Sequence, residues 1–430
     1  MRPIIKRFYV LLLVGLLAGL VLGCDDGDDA PEPPDFGALG GVEIGAGEAV
    51  QIRSLLSHAG WKEVADASRN AIEIAVRDFG DIHDHEIHLS TQVNSMCSPE
   101  GGRAGAQQII TDSQVVGVIG TSCSGAGAAA AELISESGLV MISPSNTSPS
   151  LTSDLAGNAN PNYRPGYFRI SNNDLYTGQA VADFAYKEGL RRMGTVDAND
   201  EDGNPDAYIV GLVESFSDAF EALGGEVVVT ARIDRHQTDM AGALATLAAV
   251  EPEGIFFPLY GEEAKPFVEQ VRASAGLKEV VLIAADTVFT TEFLRTPESE
   301  GVYMVGPVVN FGPDNVNVAT GKNEDAVREA AEATYGDSLK VNFWQHAYDA
   351  TTLLLDAIRS VAVQEGGKLY IDRAALRQEI GETDGFQGLT GVISCDDFGD
   401  CGTGRTDIFH HTDAEVTDST ALPVVYQFTP

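Results

Sequence analysis

Val115-Val-Gly-Val-Ile-Gly-Thr-Ser-Cys-Ser-Gly-Ala-Gly127 decides the fold. From Val115 to Ile119 the residues are apolar or small with no polar alternation, as in a strand buried on both faces of a parallel sheet. Small residues follow, then an Ala-rich helical stretch over 125–137, so a strand meets a helix through a tight turn. Ser124 stands near that helix N-terminus, where free backbone N–H groups and the positive end of the helix dipole favour a carboxylate or another anion. In open parallel sheets, ligands sit at the carboxyl edge of the strands. The next buried strand, 139–142, ends at the same edge in Val140-Met-Ile-Ser-Pro-Ser-Asn-Thr-Ser-Pro149. Ser145, Asn146 and Thr147 there add hydroxyl, amide and backbone donors. Helix caps and turns are the competing use of such residues.

Working outward, Val50–Leu56 reads as a strand. A helix follows over 61–79, with Val64, Ala67, Ala71, Ile74, Ala75 and Phe79 at helical spacing. A strand at 86–93 and a helix at 101–111 complete a βαβαβαβ rhythm, which predicts a parallel sheet covered by helices on both faces. The rhythm then restarts. Strands at 167–170, 192–196, 226–231, 254–258, 280–284 and 302–308 alternate with helices at 177–188, 208–223, 240–249 and 264–275. Helices at 323–335, 345–363 and 373–379 follow. No tandem repeat of solenoid period occurs. At 430 residues the chain is too long for one compact core, so the restart predicts two similar doubly wound α/β lobes.

Composition narrows the class. With 44% hydrophobic and 21% charged residues, the chain is neither disordered nor a polytopic membrane protein. Its 27 Lys and Arg against 64 Asp and Glu give a net charge of −37, which repels phosphate backbones and excludes nucleic acid as a partner. Such acidity also keeps a protein soluble in salt, as a saline habitat requires. Arg2, Lys6 and Arg7 precede an apolar run at 10–22 that is too short to span a bilayer comfortably and fits a signal h-region. The run ends Val21-Leu22-Gly23-Cys24, which resembles the bacterial lipobox. Cleavage is expected after residue 23, with lipid on the Cys24 sulfur. The acidic, Pro-rich stretch 25–34 and the Gly-rich residues to Gly47 read as a flexible tether. Export permits disulfides, and Cys97, Cys123, Cys395 and Cys401 allow three pairings. Cys395 and Cys401 flank a turn-rich run, which leaves Cys97 with Cys123. A zinc site would need tighter paired-ligand spacing, so no metal and no cofactor are expected.

Three strand ends in the second half carry complementary chemistry: 197–208, Pro258-Leu-Tyr260-Gly261, and Ile283-Ala-Ala-Asp286. An acid directly after a buried strand pairs with an ammonium group or caps a helix. Tyrosines such as Tyr208 and Tyr260 wall an apolar side chain. Gly125-Ala-Gly127-Ala-Ala-Ala130 fits a dinucleotide fingerprint, but Ser143 and Ser145 stand where the ribose-binding acid belongs. Gly120-Thr-Ser122-Cys-Ser124 lacks the second glycine of a nucleophile elbow, and His346 lies in an apolar helix as a core histidine. No enzyme is expected. The acidic run 197–206 fails the calcium-loop spacing and reads as a solvated loop.

From about Val50 onward the chain resembles type I periplasmic solute-binding proteins of the Leu/Ile/Val-binding kind. Cys123-Ser124, Ile142-Ser-Pro-Ser-Asn-Thr147-Ser-Pro-Ser-Leu-Thr and the late Ala347-Tyr-Asp-Ala350 carry the resemblance. It implies two lobes joined by three crossovers that close around a ligand, which is then handed to an ABC permease. It implies further that Ser124, Ser145 and Thr147 grip an α-carboxylate and that Asp286 faces the α-ammonium. Tyr208 and Tyr260 fall on ligand-lining positions of the second lobe, and Trp61 falls in the first strand–helix loop. Cys97 and Cys123 match the family's early cysteine pair. Asp286 is shorter than the usual glutamate, and Asn146 is polar where relatives are small, so the ligand is expected to be an amino acid or a related amide. The expected divisions are a signal at 1–23, a tether at 24–47, an N-terminal lobe at 48–169 and 309–398, and a C-terminal lobe at 170–308 and 399–430. The expected protein is a monomer, held in the periplasm or at the cell surface by the lipid on Cys24. The alternative is a sensor of the same fold presenting ligand occupancy to a membrane receptor.

Overall fold

The computed structural model describes residues 35–58, 61–90, 92–336 and 339–430. The expected signal, Cys24 and the first part of the tether lie outside the described residues. Among the described residues no helix is long and apolar enough to cross a membrane.

The chain begins with β1 (Gly41–Ile44), β2 (Val50–Leu56), α1 (Lys62–Phe79), β3 (Ile87–Leu89), β4 (Val93–Asn94), α2 (Pro99–Ile110), β5 (Val115–Gly120), α3 (Ser124–Glu136), β6 (Val140–Ser143) and β7 (Tyr167–Arg169). These build a parallel sheet in the order β3-β2-β5-β6-β7, with β4 also paired to β2. Every residue of β5 and β6 is buried, as their unbroken apolar runs require. The next elements are α4 (Asp174–Lys187), β8 (Arg192–Asn199), α5 (Ala207–Ala222), β9 (Glu226–Asp234), α6 (Ala241–Ala248), β10 (Gly254–Phe257), α7 (Gly261–Ala273), β11 (Val281–Ala284), α8 (Thr291–Leu294) and β12 (Tyr303–Pro307). The chain ends with α9 (Glu324–Tyr335), α10 (Trp344–Val361), β13 (Val363–Glu365), β14 (Lys368–Asp372), α11 (Arg373–Gly381), β15 (Phe386–Gly388), β16 (Gly391–Ile393), β17 (Thr406–His410) and β18 (Val424–Phe428). The second sheet runs β9-β8-β10-β11-β12-β17-β18, parallel as far as β12 and antiparallel beyond it. In each sheet the first strand lies between the second and third, so each has a switch point at its carboxyl edge, where ligands bind in such folds.

The chain crosses between sheets three times. It leaves the first sheet after β7. It returns after β12, so that α10 packs on α1, β5 and β6, and crosses again before β17. The first and third crossings run side by side: Arg169 N–H donates to Gly399 O and Cys401 N–H to Arg169 O, both at 3.0 Å. Between them lies a buried ion pair, Arg169 Nη2 to Asp400 Oδ2 at 2.6 Å.

Two expectations are corrected. The tether does not extend to Gly47, because Gly41–Ile44 is a strand paired with β14. Val42 and Ile44 point inward and are buried, and that alternating apolar pair is what folds the segment. The single strand expected at 86–93 is two pieces. The pairing of β2 shifts by one residue between β3 and β4, as an inserted bulge residue requires. The strands β17 and β18, which the sequence pattern does not predict, complete the second sheet.

Candidate functional site

The first half of the site is built at the carboxyl ends of β5 and β6. Gly120 ends β5 with φ +152°, and a Cβ there would lie 2.2 Å from the Leu55 carbonyl oxygen, so only glycine fits. The turn leads into α3, whose N-cap Cys123 supplies no side-chain acceptor. The N-terminal N–H groups of α3 therefore lack a side-chain cap and present a positive dipole end. A disulfide from Cys123 to Cys97 fixes this cap, and a second joins Cys395 to Cys401.

Ser143, at the end of β6, organises the adjoining loop. Its hydroxyl donates to Thr121 O (2.9 Å) and accepts from the N–H groups of Ser145 (3.2 Å) and Asn146 (2.9 Å). Ser145 Oγ donates to Ser122 O (3.0 Å), and Ser124 Oγ accepts from Ser148 N–H (3.2 Å). Asn146 is held by the loop itself. Its amide donates to Thr121 O, and its oxygen accepts from Thr121 Oγ1 and the Tyr167 hydroxyl. These bonds make Asn146 a brace for the loop.

The second half comes from the second sheet. Asp206 caps α5 by accepting from Tyr208 N–H (2.9 Å) and Ile209 N–H (3.0 Å). This capping directs Tyr208, whose hydroxyl donates to Asp286 Oδ1 at 2.6 Å. Asp286 follows β11 and opens a short 3₁₀ turn. Tyr260 stands at the N-cap position of α7, its ring 5.6 Å from that of Tyr208. Behind it the Arg235 guanidinium lies 4.2 Å from the Tyr260 ring centre and 3.1 Å from Glu263. Burial pushes the Asp286 carboxyl up to about 6, with the Tyr208 hydroxyl pulling partly the other way.

Three residues outside the expected set belong to this group. Asp174 opens α4 directly after the first crossing. Burial, then the neighbouring charge of Asp286, push its carboxyl up to about 7. Asn342 donates to Asp286 O at 3.3 Å. Phe343, with φ +68°, meets the ring of Trp61 edge-on at 5.6 Å. A left-handed phenylalanine is costly and is a mark of functional loops. Trp61 is buried at the start of α1 and so reaches the Asp286 side of the site through Phe343 and its neighbour Asn342. His346 is a core residue, its ring against Phe311 and Phe343 and its pKa lowered by burial to about 3.

The two halves touch. Ser148 Oγ donates to Ala207 O (2.7 Å), and both the Thr291 N–H and its hydroxyl donate to Glu63 (3.1 Å). A cavity of about 300 Å³ opens between residues 96–100 on one side and Glu201, Asp202, Arg235, His236 and Glu262 on the other. Its acidic rim attracts cationic groups. Tyr208, Tyr260 and Asp286 thus form one group, joined by the Tyr208–Asp286 hydrogen bond and the tilted contact of the two rings. Ser124, Ser145 and Thr147 line the opposite strand ends. Asp174 links them, since its N–H donates to Thr147 O at 2.9 Å while its carboxyl feels Asp286. A helix N-terminus on one side and buried carboxyls on the other are suited to a small molecule with an anionic and a cationic end.

Known proteins share the sequence profile and the fold. The sequence profile described as periplasmic binding protein matches residues 58–407. An amino acid binding protein of Pseudomonas aeruginosa is 24% identical over 286 residues, 66% of this chain and 71% of the relative. A leucine binding protein of Thermotoga maritima has a similar structure, with a TM-score of 0.73 and 22% identity over 89% of this chain and 99% of that one. A solute binding protein of R. palustris in complex with benzoate has a TM-score of 0.67 and 20% identity over 89% and 97% of the two chains.

Proposed function

Because this chain belongs to the periplasmic binding protein family, we propose that it captures a small amine-bearing solute, an amino acid of the branched-chain kind or a close relative, and delivers it to an ABC permease. The ligand lies between an N-terminal lobe of 48–169 and 309–398, extended by β1, and a C-terminal lobe of 170–308 and 399–430. Its carboxylate faces the N-terminus of α3, with Ser124, Ser145 and Thr147 around it. Its ammonium faces Asp286, and its side chain lies against Tyr208, Tyr260 and Trp61. The protein works outside the cytoplasm, held by lipid on Cys24.

The observation that supports this reading best is Asp286, 7% exposed and bonded to Tyr208, across from an uncapped helix N-terminus. A buried carboxyl without a cation is costly, and a zwitterion satisfies both ends of the site. Benzoate, which the R. palustris protein holds, would bring Asp286 no cation. A thermal-shift screen of the folded part against amino acids, amides, urea and benzoate tests the proposal. A true ligand at 100 times its Kd stabilises by about 2.7 kcal/mol. A shift with benzoate or urea and none with any amino acid would refute it.

A further inference from the structure

We infer that His236, Glu262 and Glu263 bind one divalent transition-metal ion, zinc or a metal of similar ligand preference, on the wall of the cavity that faces residues 96–100. The inference does not depend on what the cleft itself holds.

The carboxyl edge of the second sheet brings the three residues together. His236 follows β9, and Glu262 and Glu263 lie in the first turn of α7. His236 and Glu262 are 26 positions apart in the chain, so no ligand spacing announces the site and the sequence alone predicts no metal. In the fold, one ring nitrogen of His236 and one oxygen of each glutamate lie within 4.8 Å of one another. His236 Nδ1 is 2.8 Å from Glu262 Oε2, and its Nε2 is 3.6 Å from Glu201 Oε1. Metal bonds of about 2.0–2.2 Å to nitrogen and oxygen hold neighbouring ligand atoms roughly 3 Å apart, close to the first of these distances. With Nδ1 on the ion, Nε2 faces Glu201, and a carboxylate in that place orients a ligating imidazole. The side chains of His236 and Glu262 are exposed, so they can turn to close the remaining gap around the buried Glu263.

Glu263 is the independent sign of a ligand. It is 0% exposed. Its Oε1 accepts from His236 N–H at 2.6 Å and from Arg235 Nε at 3.1 Å, while its Oε2 is buried without a hydrogen-bond partner. The helix dipole favours acids in the first turn of α7, but it leaves an anionic oxygen shut away from water unsatisfied. Arg235 does not neutralise the group. It pairs with Glu263, with Asp206 at 3.5 Å and with Glu201 at 3.7 Å, so one guanidinium is shared among three carboxylates. Glu100 and Asp202 add further acids to the cavity wall. A dication answers this surplus of negative charge. The imidazole nitrogen then selects among dications: calcium and magnesium take oxygen ligands, whereas zinc and its neighbours take imidazole together with carboxylate.

The test is titration calorimetry of the folded protein, stripped with EDTA and exchanged into chelator-free buffer, with zinc chloride, calcium chloride and magnesium chloride in turn. We expect one zinc ion per chain with micromolar affinity or better, and calcium and magnesium at least a hundredfold weaker. His236→Asn and Glu262→Gln should each weaken zinc at least tenfold. Both side chains are exposed, and asparagine accepts the left-handed backbone of position 236, φ +63°, so circular dichroism should show both variants folded. With cobalt(II) in place of zinc, the visible absorption of the bound ion should appear in the parent and be lost in His236→Asn. Absence of zinc binding at micromolar concentrations, or calcium binding as tightly as zinc, would overturn the inference, and neither result needs a variant to fold. Zinc binding that both variants leave unchanged would also overturn it, as an adventitious ion only.

Discussion

Asp400→Ala removes the carboxylate on which the first and third crossings meet. In the parent, Asp400 Oδ2 accepts from Arg169 Nη2 (2.6 Å) and Nε (3.2 Å), Asn173 Nδ2 (2.8 Å) and Thr152 Oγ1 (3.0 Å). The Arg169 side chain is fully buried and that of Asp400 is 5% exposed. After the substitution Arg169 keeps only the carbonyls of Ser148 (2.7 Å) and Asn146 (3.3 Å). A buried charge left without its partner costs about 3–5 kcal/mol. Urea unfolding, followed by tryptophan fluorescence and circular dichroism, should show a loss of that size in the step that includes the crossings. A loss below about 1 kcal/mol would refute the reasoning, because it would mean that water reaches Arg169. The double variant Arg169→Met, Asp400→Leu should recover at least half of the loss, since an apolar pair of similar volume often replaces a buried ion pair without penalty. The same pair lies where the lobes would pivot, so the single variant should also weaken ligand binding, by loosening a crossing rather than by touching the site.

Removing the Cys97–Cys123 bridge opens a loop with a sequence separation of 26; Cys97→Ser with Cys123→Ser should cost about 3 kcal/mol in chemical denaturation, and an unchanged midpoint would count against a stabilising role. Gly120→Ala should lower soluble yield sharply, with a loss of about 4 kcal/mol or more in any folded fraction, because the new Cβ meets the Leu55 carbonyl; a normal melting temperature would contradict the close approach. Asp174 has its pKa raised on folding, to about 7, so its favourable contribution is full below the unfolded carboxylate range near 4 and is lost as pH rises through about 7. Without ligand, Asp174→Asn should therefore melt near the parent at pH 4 and above it at pH 8, and the opposite order at pH 8 would show a cation paired with Asp174.

Much of this architecture is legible in the residues, and the exceptions have physical causes. Val115–Ile119 and Val140–Ile142 are runs without polar residues, as a doubly covered parallel strand requires, so their strand ends, and the positions of Ser124, Ser145 and Thr147 with them, follow directly. Tyr208, Tyr260 and Asp286 each come within a few residues of a buried strand or a helix start, which makes them visible too. Asp174 is harder to see. In Asn172-Asn173-Asp174 it reads as part of a helix start, and Asn173 indeed caps α4 through Leu175 N–H at 3.0 Å. Only the fold places its carboxyl beside Asp286. Asn342 and Phe343 come from the far end of the chain and reach the site because α10 returns to the first sheet. Thr406–His410 is not legible as a strand because it places Thr406 and Asp407 among buried residues, a mixed pattern with neither strand alternation nor an apolar run. The flanking glycines of β1 mask it in the sequence, although Val42 and Ile44 carry the alternation.

The central claim is that a zwitterion is held by its two ends, with its ammonium at Asp286. Titration calorimetry with Asp286→Asn tests it most directly, using L-leucine and its des-amino analogue 4-methylpentanoate on parent and variant at pH 8. A hydrogen bond to a charged group is worth about 1.5–3 kcal/mol, so the account predicts at least tenfold weaker leucine binding by the variant. The des-amino acid, which lacks the ammonium, should bind the variant as well as the parent or better. Leucine binding equally to parent and variant, or des-amino acid binding the parent as tightly as leucine does, would contradict the account.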